Sequence, residues 1–245
     1  MSDILDKTQQ FVVELLTNQL DKNFLYHNLR HTQRVVKSTK ELSESCSLSD
    51  QERELLELVA WFHDTGYTKG NKDHEESSCE IAEEFLTKES YDPKGIEKIK
   101  ECIRATKWNT KPTNLMEEII RDADSSHFAQ TSYIETTELL REELKLLGVK
   151  NYSQKEWLQV NIQVFRTDHQ YYTDYAKKHW LEKKDKNLRK LIKDKKSEKK
   201  LAKKERLKAK FKSESPDRGI QTLYRVTLKN HIALSDIADT KANIL

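Results

Sequence analysis

Glycine and proline are scarce, with five Gly and three Pro in 245 residues. β-Sandwiches and barrels use both freely at their many reversals, so this shortage argues against them and for a mostly helical chain. Long apolar runs are missing too. The longest is Leu58-Val59-Ala60-Trp61-Phe62, far below the ~20 residues a membrane-spanning helix needs, so nothing present is expected to cross a bilayer. A secretory leader is not expected either. The opening MSDILDKTQQ carries acids and has no basic stretch ahead of an apolar one. The three cysteines, Cys46, Cys79 and Cys102, are odd in number and widely spaced. They read as thiols of a reducing compartment, not as a disulfide frame or a zinc knuckle.

Charge, by contrast, is plentiful and unevenly placed. At 36% hydrophobic and 35% charged, the chain can bury a core over part of its length but not over all of it. The net charge of +3 conceals a basic segment: residues 176–212 hold 16 Lys and 2 Arg against 2 Asp and 3 Glu. That local excess of +13 leaves −10 for the rest. The segment has no Gly or Pro and is rich in helix formers. Its apolar positions thin out after Ile192. Three readings stay open: a solvated charged helix, a weak coiled-coil stalk that would pair two copies, and a basic strip near anionic lipid headgroups. Nucleic acid ranks below lipid, because no aromatics are interleaved for base stacking.

Apolar spacing predicts a helix from about Leu5 to Leu20, and a second from Asn28 to Ser45 after a polar, aromatic entry. A third starts at Ser49, whose partner Glu52 completes a capping-box pattern, and stops near Gly66. Further helices are expected over His74–Lys88, Lys94–Thr106, and Leu115–Phe128 continuing or restarting towards Leu147. Another is expected over Ser153–Trp180, and the basic segment would form one more. A Ser-, Pro- and Gly-containing break over Ser213–Gly219 leads to an amphipathic stretch, Ile220–Leu245. The organisation read from this is an acidic helical body (1–175), a basic connector (176–212) and a short C-terminal module (213–245), with no strand pattern.

Four His/Asp clusters fall in the body. His27 and His31 are four residues apart in Tyr26-His27-Asn28-Leu29-Arg30-His31. His63-Asp64 follows the apolar run, where a buried His-Asp pair is costly unless something pairs with it. His74-Glu75 opens a helix, and Asp122-Ala123-Asp124 closes another. A divalent cation needs imidazoles and carboxylates converging from several helices. Such an ion lowers the pKa of water and yields hydroxide for attack on phosphorus.

The ordered series HxxxH, His63-Asp64 and a later DAD resembles the HD superfamily of metal-dependent phosphohydrolases. It is most similar to small bacterial members that carry YHNxxHTxRVV, FHDxGY and HEExS. The likeness spans roughly residues 20–175, including Phe165–Tyr175, similar to the helix that closes those domains. It implies an all-α HD bundle, followed here by the long basic helix and a short amphipathic C-terminal helix. It further implies one divalent metal held by His31, His63, Asp64 and Asp124, with Asp122 the competing choice for the last position. Asp64, His74 and Glu75 would serve catalysis, the last two by positioning water or phosphate; an exposed first helix turn is the plainer role for that pair. His27 would bind phosphate or support the site, or simply hold the helix entry. Arg104 and Lys107 would face substrate phosphates, or else pair on the surface with Glu101 or Glu97. His169 and Thr173 would support the site from behind. Members with two metals carry further His ligands on a later helix; here that helix reads Glu101-Cys102-Ile103-Arg104-Ala105-Thr106-Lys107, so one metal is expected. Mn, Fe, Co, Ni, Zn and Mg all stay open. The substrate implied is a nucleotide or related phosphoester. The alternative is a module that senses a nucleotide without consuming it.

Residues 218–245, Arg-Gly-Ile through Asn-Ile-Leu, are similar to the opening of the membrane-associated Pycsar effector domain of bacterial antiphage proteins. That likeness implies a chain ending where a membrane segment begins. The body would then lie at the cytoplasmic face of an inner membrane, and the chain as given would be soluble.

Overall fold

The computed structural model describes residues 3–70 and 72–214, with side chains described to residue 209. Among these residues the chain is all-helical, as the shortage of breakers predicts. Two compact units are distinguished, Met1–Ile192 and Lys193–Leu245.

The first unit is built from helices whose starts are written in capping residues. Helix α1 covers Asp3–Gln19 and α2 covers Leu29–Glu44. The Asn28 side chain caps α2 by accepting from the backbone N–H groups of Arg30 and His31, two of the donors a helix start leaves unpaired. Ser49 and Glu52 form the expected reciprocal capping box at α3, Asp50–Phe62. A 3-10 turn, Thr65–Lys69, separates α3 from α4, His74–Lys88. Asp92 caps α5, Pro93–Ala105, through the Gly95 N–H, with Pro93 at the tolerated first position. Asn114 caps α6, Leu115–Asp124. A second 3-10 turn, Ser125–Ala129, leads to α7, Tyr133–Leu146, so the expected helix from Leu115 restarts instead of continuing.

One large core unites α1 to α6. Val12, Val35, Leu42, Leu56, Leu58, Phe62, Leu86, Ile99, Ile103, Ile119 and Ile120 are all fully buried in it. Helix α3 is its centre: every residue from Leu58 to Asp64 is buried. A smaller cluster joins Phe128, Tyr133, Ile162, Phe165 and Leu191.

The single helix expected over Ser153–Trp180 is instead three pieces. Helix α8 covers Gln154–Gln163, a π turn covers Val164–Asp168, and α9 covers Asp174–His179. The residues between leave the helix because the backbone N–H groups of Tyr172 and Thr173 donate to Asp122, at 2.8 to 3.1 Å. Thr173 then caps α9 through the Ala176 N–H.

Helix α10 runs Leu181–Glu214. Its first turns belong to the first unit: Lys184, Asn187 and Leu191 are each 3% exposed, one face of a helix at three- and four-residue spacing. The Asn187 amide donates to the carbonyls of Phe128 and Gln130. The compact unit therefore runs on to Ile192, past residue 175. In the second unit, the described side chains from Lys193 to Ala209 are exposed, Lys195 being half-buried. No helix among the described residues is long and apolar enough to cross a membrane. The C-terminal module and its amphipathic stretch lie outside the described residues.

Candidate metal centre

Three helices deliver the motif residues to one point. His31 lies in the first turn of α2, fixed there by the Asn28 cap. His63 ends α3, with Asp64 next to it at the head of the 3-10 turn. Asp124 is the last residue of α6. The Nε2 atoms of His31 and His63 are 3.1 Å apart. Asp64 Oδ2 is 3.0 Å from the first and 3.2 Å from the second. Asp124 Oδ1 is 3.2 Å from His31 Nε2 and 4.0 Å from His63 Nε2. Ligand atoms of His31, His63 and Asp124 all fall within 4.8 Å of one another, the spacing of donors around one ion.

Hydrogen bonding alone does not satisfy this cluster. Asp64 Oδ2 is buried and receives no well-aligned hydrogen bond. His63 Nδ1 is 2.9 Å from the Ala60 carbonyl, so it donates there and turns its Nε2 to the cluster. Arg34 Nη2 faces His31 Nδ1 and can only donate, which leaves the proton of a neutral His31 on Nε2. Protons on both Nε2 atoms, 3.1 Å apart, would oppose each other. A divalent cation would replace such a proton, fill the unpaired Asp64 oxygen and require Arg34 to turn from His31. Two imidazoles and two carboxylates are a donor set that accepts many divalent ions.

The electrostatics agree. Burial depresses His63, but Asp64 and Asp124 outweigh it and push its pKa up to about 9. Burial acts against the charge of Asp64, yet His63 and His31 hold it well below the usual carboxylate range. For Asp124 burial is again overcome, by His31 and His63, and the pKa falls to about 2. Both carboxylates are thus ionised and ready to receive a cation.

The other candidates surround this point unequally. His74 Nε2 lies 3.7 Å from Asp64 Oδ1, and its Nδ1 lies 3.4 Å from Glu75 Oε2, with Glu75 buried. Burial lowers the His74 pKa and leaves its ring neutral. Tyr67 stacks on His74 with ring centres 4.0 Å apart, and His27 packs on Tyr67 as well, at 4.5 Å. His27 donates to Glu143, a residue of α7 only 1% exposed that also accepts the backbone N–H groups of Tyr26 and His27. Burial lowers the His27 pKa, but the bond to Glu143 and the nearby acids raise it overall. Arg104 is taken up by Glu76 through Nε and Nη2, not by Glu101 or Glu97. Lys107 is exposed and lines an open depression with Arg104 and Glu75.

Asp122 does not join the cluster. Its carboxylate is fully buried and accepts from Tyr172, Thr173 N–H and the Thr173 hydroxyl. His169 Nε2 is 2.8 Å from the Ser125 hydroxyl, next to Asp124, and its Nδ1 accepts from Lys184 Nζ at 2.8 Å. Residues the sequence reading did not single out are Arg34, Tyr67, Glu143 and Lys184. Arg34 is three residues from His31 on one helix face and was open to helical spacing. Glu143 is 116 residues from His27 and leaves no local signal.

Residues 28–129 match the family model of the HD domain. The match begins at the Asn28 cap, ends with the second 3-10 turn, and contains His31, His63, Asp64 and Asp124. The chain thus carries an HD domain over these residues, while His27, Glu143 and Lys184 lie outside them. No curated protein matches the chain.

Proposed function

We propose that this chain is a metal-dependent phosphohydrolase acting on a nucleotide or related phosphoester. The observation that carries the reading is the convergence of His31, His63 and Asp124 from three helices within an HD domain. Asp64 would complete the ligand set through its unpaired Oδ2. When bound, the ion supplies Lewis-acid chemistry: it acidifies water and draws charge from a phosphoryl oxygen. The chain's own residues do the rest. Neutral His74, beside Asp64 and Glu75, accepts a hydrogen bond and orients water. His27, held by Glu143, offers a positive edge to phosphate oxygens. A panel of nucleotides and phosphoesters, run with each divalent ion and followed by product identification, tests this. Absence of any turnover across the metal-loaded panel would overturn it.

A nucleotide-sensing role is the second reading. It is favoured by the link from Lys184 at the start of α10 through His169 to Ser125, which adjoins Asp124. Ligand at the metal centre and the set of α10 are thereby in contact. Binding without consumption of the nucleotide would select this reading. The Lys-rich exposed face of α10 beyond Lys193 supports an anionic membrane surface as partner. Binding to anionic vesicles that vanishes at 1 M salt, where screening acts over ~3 Å, is the expected result.

A further inference from the structure

One segment of α6 does three things at once. Arg121-Asp122-Ala123-Asp124 places Asp124 in the metal cluster and also holds the backbone of two segments that carry an aromatic residue each. Arg121 donates from Nη1 to the carbonyls of Ala105 and Lys107, at 2.6 and 2.8 Å, and from Nη2 to that of Trp108 at 3.2 Å. These bonds clasp the loop that carries Trp108. Asp122 clasps Tyr172 through its backbone N–H, and the Arg121 guanidinium lies 5.8 Å from the centre of the Tyr172 ring. A cleft opens between the two arms. Trp108, Tyr172, Arg121, His169 and the ligand Asp124 line it, and it is a shallow cleft open to solvent.

Trp108 is 52% exposed, whereas Trp61, Trp157 and Trp180 are all buried. Its backbone carbonyl is held by Arg121, so the exposed ring stands on a fixed segment beside the metal cluster, and covering it with a ligand would remove apolar area from water. A planar heteroaromatic group stacks on such a surface whatever its hydrogen-bonding edge. The distance from the cleft to the metal is set by Asp124, which belongs to both.

We infer that this cleft is the base subsite of the substrate: Trp108 and Tyr172 stack the nucleobase of a nucleoside phosphate whose phosphate lies at the Asp124 metal centre. The inference rests on the phosphohydrolase reading and deepens it, because it separates nucleotides from phosphoesters that lack a base. Trp108 and Tyr172 act on specificity and touch no reacting atom.

The test uses the metal-loaded full chain and two ligands with the same phosphate, AMP and ribose 5-phosphate. Affinity is read from tryptophan fluorescence, and KM from phosphate release. AMP should bind roughly tenfold more tightly than ribose 5-phosphate, the scale of one base–aromatic stack, and should quench the Trp108 emission. Trp108→Ala and Tyr172→Ala should each remove most of that advantage while leaving ribose 5-phosphate affinity within about twofold and the melting temperature unchanged. Trp108→Phe should retain it. Equal affinity for the two ligands, or an equal loss of both in Trp108→Ala, overturns the base subsite while turnover leaves the phosphohydrolase reading standing. Failure to bind either ligand while another phosphoester is turned over overturns the base subsite alone; failure to bind either with no turnover across the whole panel overturns both.

Discussion

At the scale of single residues, the site is a set of charges that need one another. Asp64 is the clearest case, because its buried Oδ2 has two imidazoles at 3.0 and 3.2 Å and no good hydrogen bond. Asp64→Ala should lower divalent-metal affinity by about 100-fold or more, at or beyond the upper end for disturbed outer partners of metal ligands. Helical content by circular dichroism should not change, since the residue follows α3 and caps no helix start with its side chain. Metal affinity within a few-fold of wild type would remove Asp64 from the ligand set. His31, His63 and Asp124 were readable because their order along the chain is itself a motif. Between Asp122 and Asp124, only the family resemblance favoured Asp124; the apolar run that both follow does not separate them. What separates them is a tertiary fact, the donation from Tyr172 and Thr173 that engages Asp122. Glu143 was invisible for a like reason: a carboxylate on one helix acquires its role only when another segment's imidazole is folded against it.

At the scale of elements, the helices of the first half were legible where apolar periodicity and caps coincide. Ser49, read as a cap, marks the start of α3, and the starts expected at Asn28 and Lys94 fall within a residue of α2 and α5. The long expectation over Ser153–Trp180 failed because the apolar spacing through Trp157, Phe165 and Trp180 continues across a break that only Asp122 enforces. Gly66 is an element-scale residue of the opposite kind, small because two elements meet at it. A Cβ there would lie 1.9 Å from the His74 carbonyl oxygen and 2.7 Å from the Ser78 nitrogen. Its own N–H donates to the Ser78 hydroxyl at 2.8 Å. Those neighbours are helix backbone and cannot swing aside, so Gly66→Ala must push the start of α4 from the 3-10 turn. The expected cost is about 2–3 kcal/mol, the range for overpacking a tight contact. His74 would move with α4, so the turnover proposed for this chain should fall as well. Unfolding in urea measures the first effect; an unchanged midpoint would show that the two elements are not held at this distance.

At the scale of the whole molecule, two properties belong to no single element. One is where the compact body ends. Trp180, Lys184, Asn187 and Leu191 are buried in it, so a chain ended after Ile192 should keep the melting temperature and metal affinity of the full protein. A chain ended after Tyr175 strips Phe128 and Phe165 of their α10 cover and leaves the Phe128 and Gln130 carbonyls without Asn187. It should lose several kcal/mol; equal stability of the two truncations would show that α10 only leans on the body. The other property is the dependence of global stability on pH and metal together. The folded protein holds the His63 proton more tightly than the unfolded chain, at about 9 against 6.5. Without metal, that contribution is complete below about pH 6.5 and is lost as pH rises through about 9. Asp64 and Asp124 are shifted the other way, so their contribution stands above the ordinary value of 3.8 and is lost on acidification through their lowered folded values. In the proposed site a bound cation would take the place of the proton and hold the same four side chains without it, so its stabilising effect should grow as the proton leaves. The rise in melting temperature on adding saturating Mn²⁺ should therefore increase from pH 6 through 7.5 to 9. Thermal scans with and without a chelator measure it directly. A metal-induced rise that is the same at all three values, or shrinks with pH, would mean that no proton is displaced from His63 and that the cation is held elsewhere.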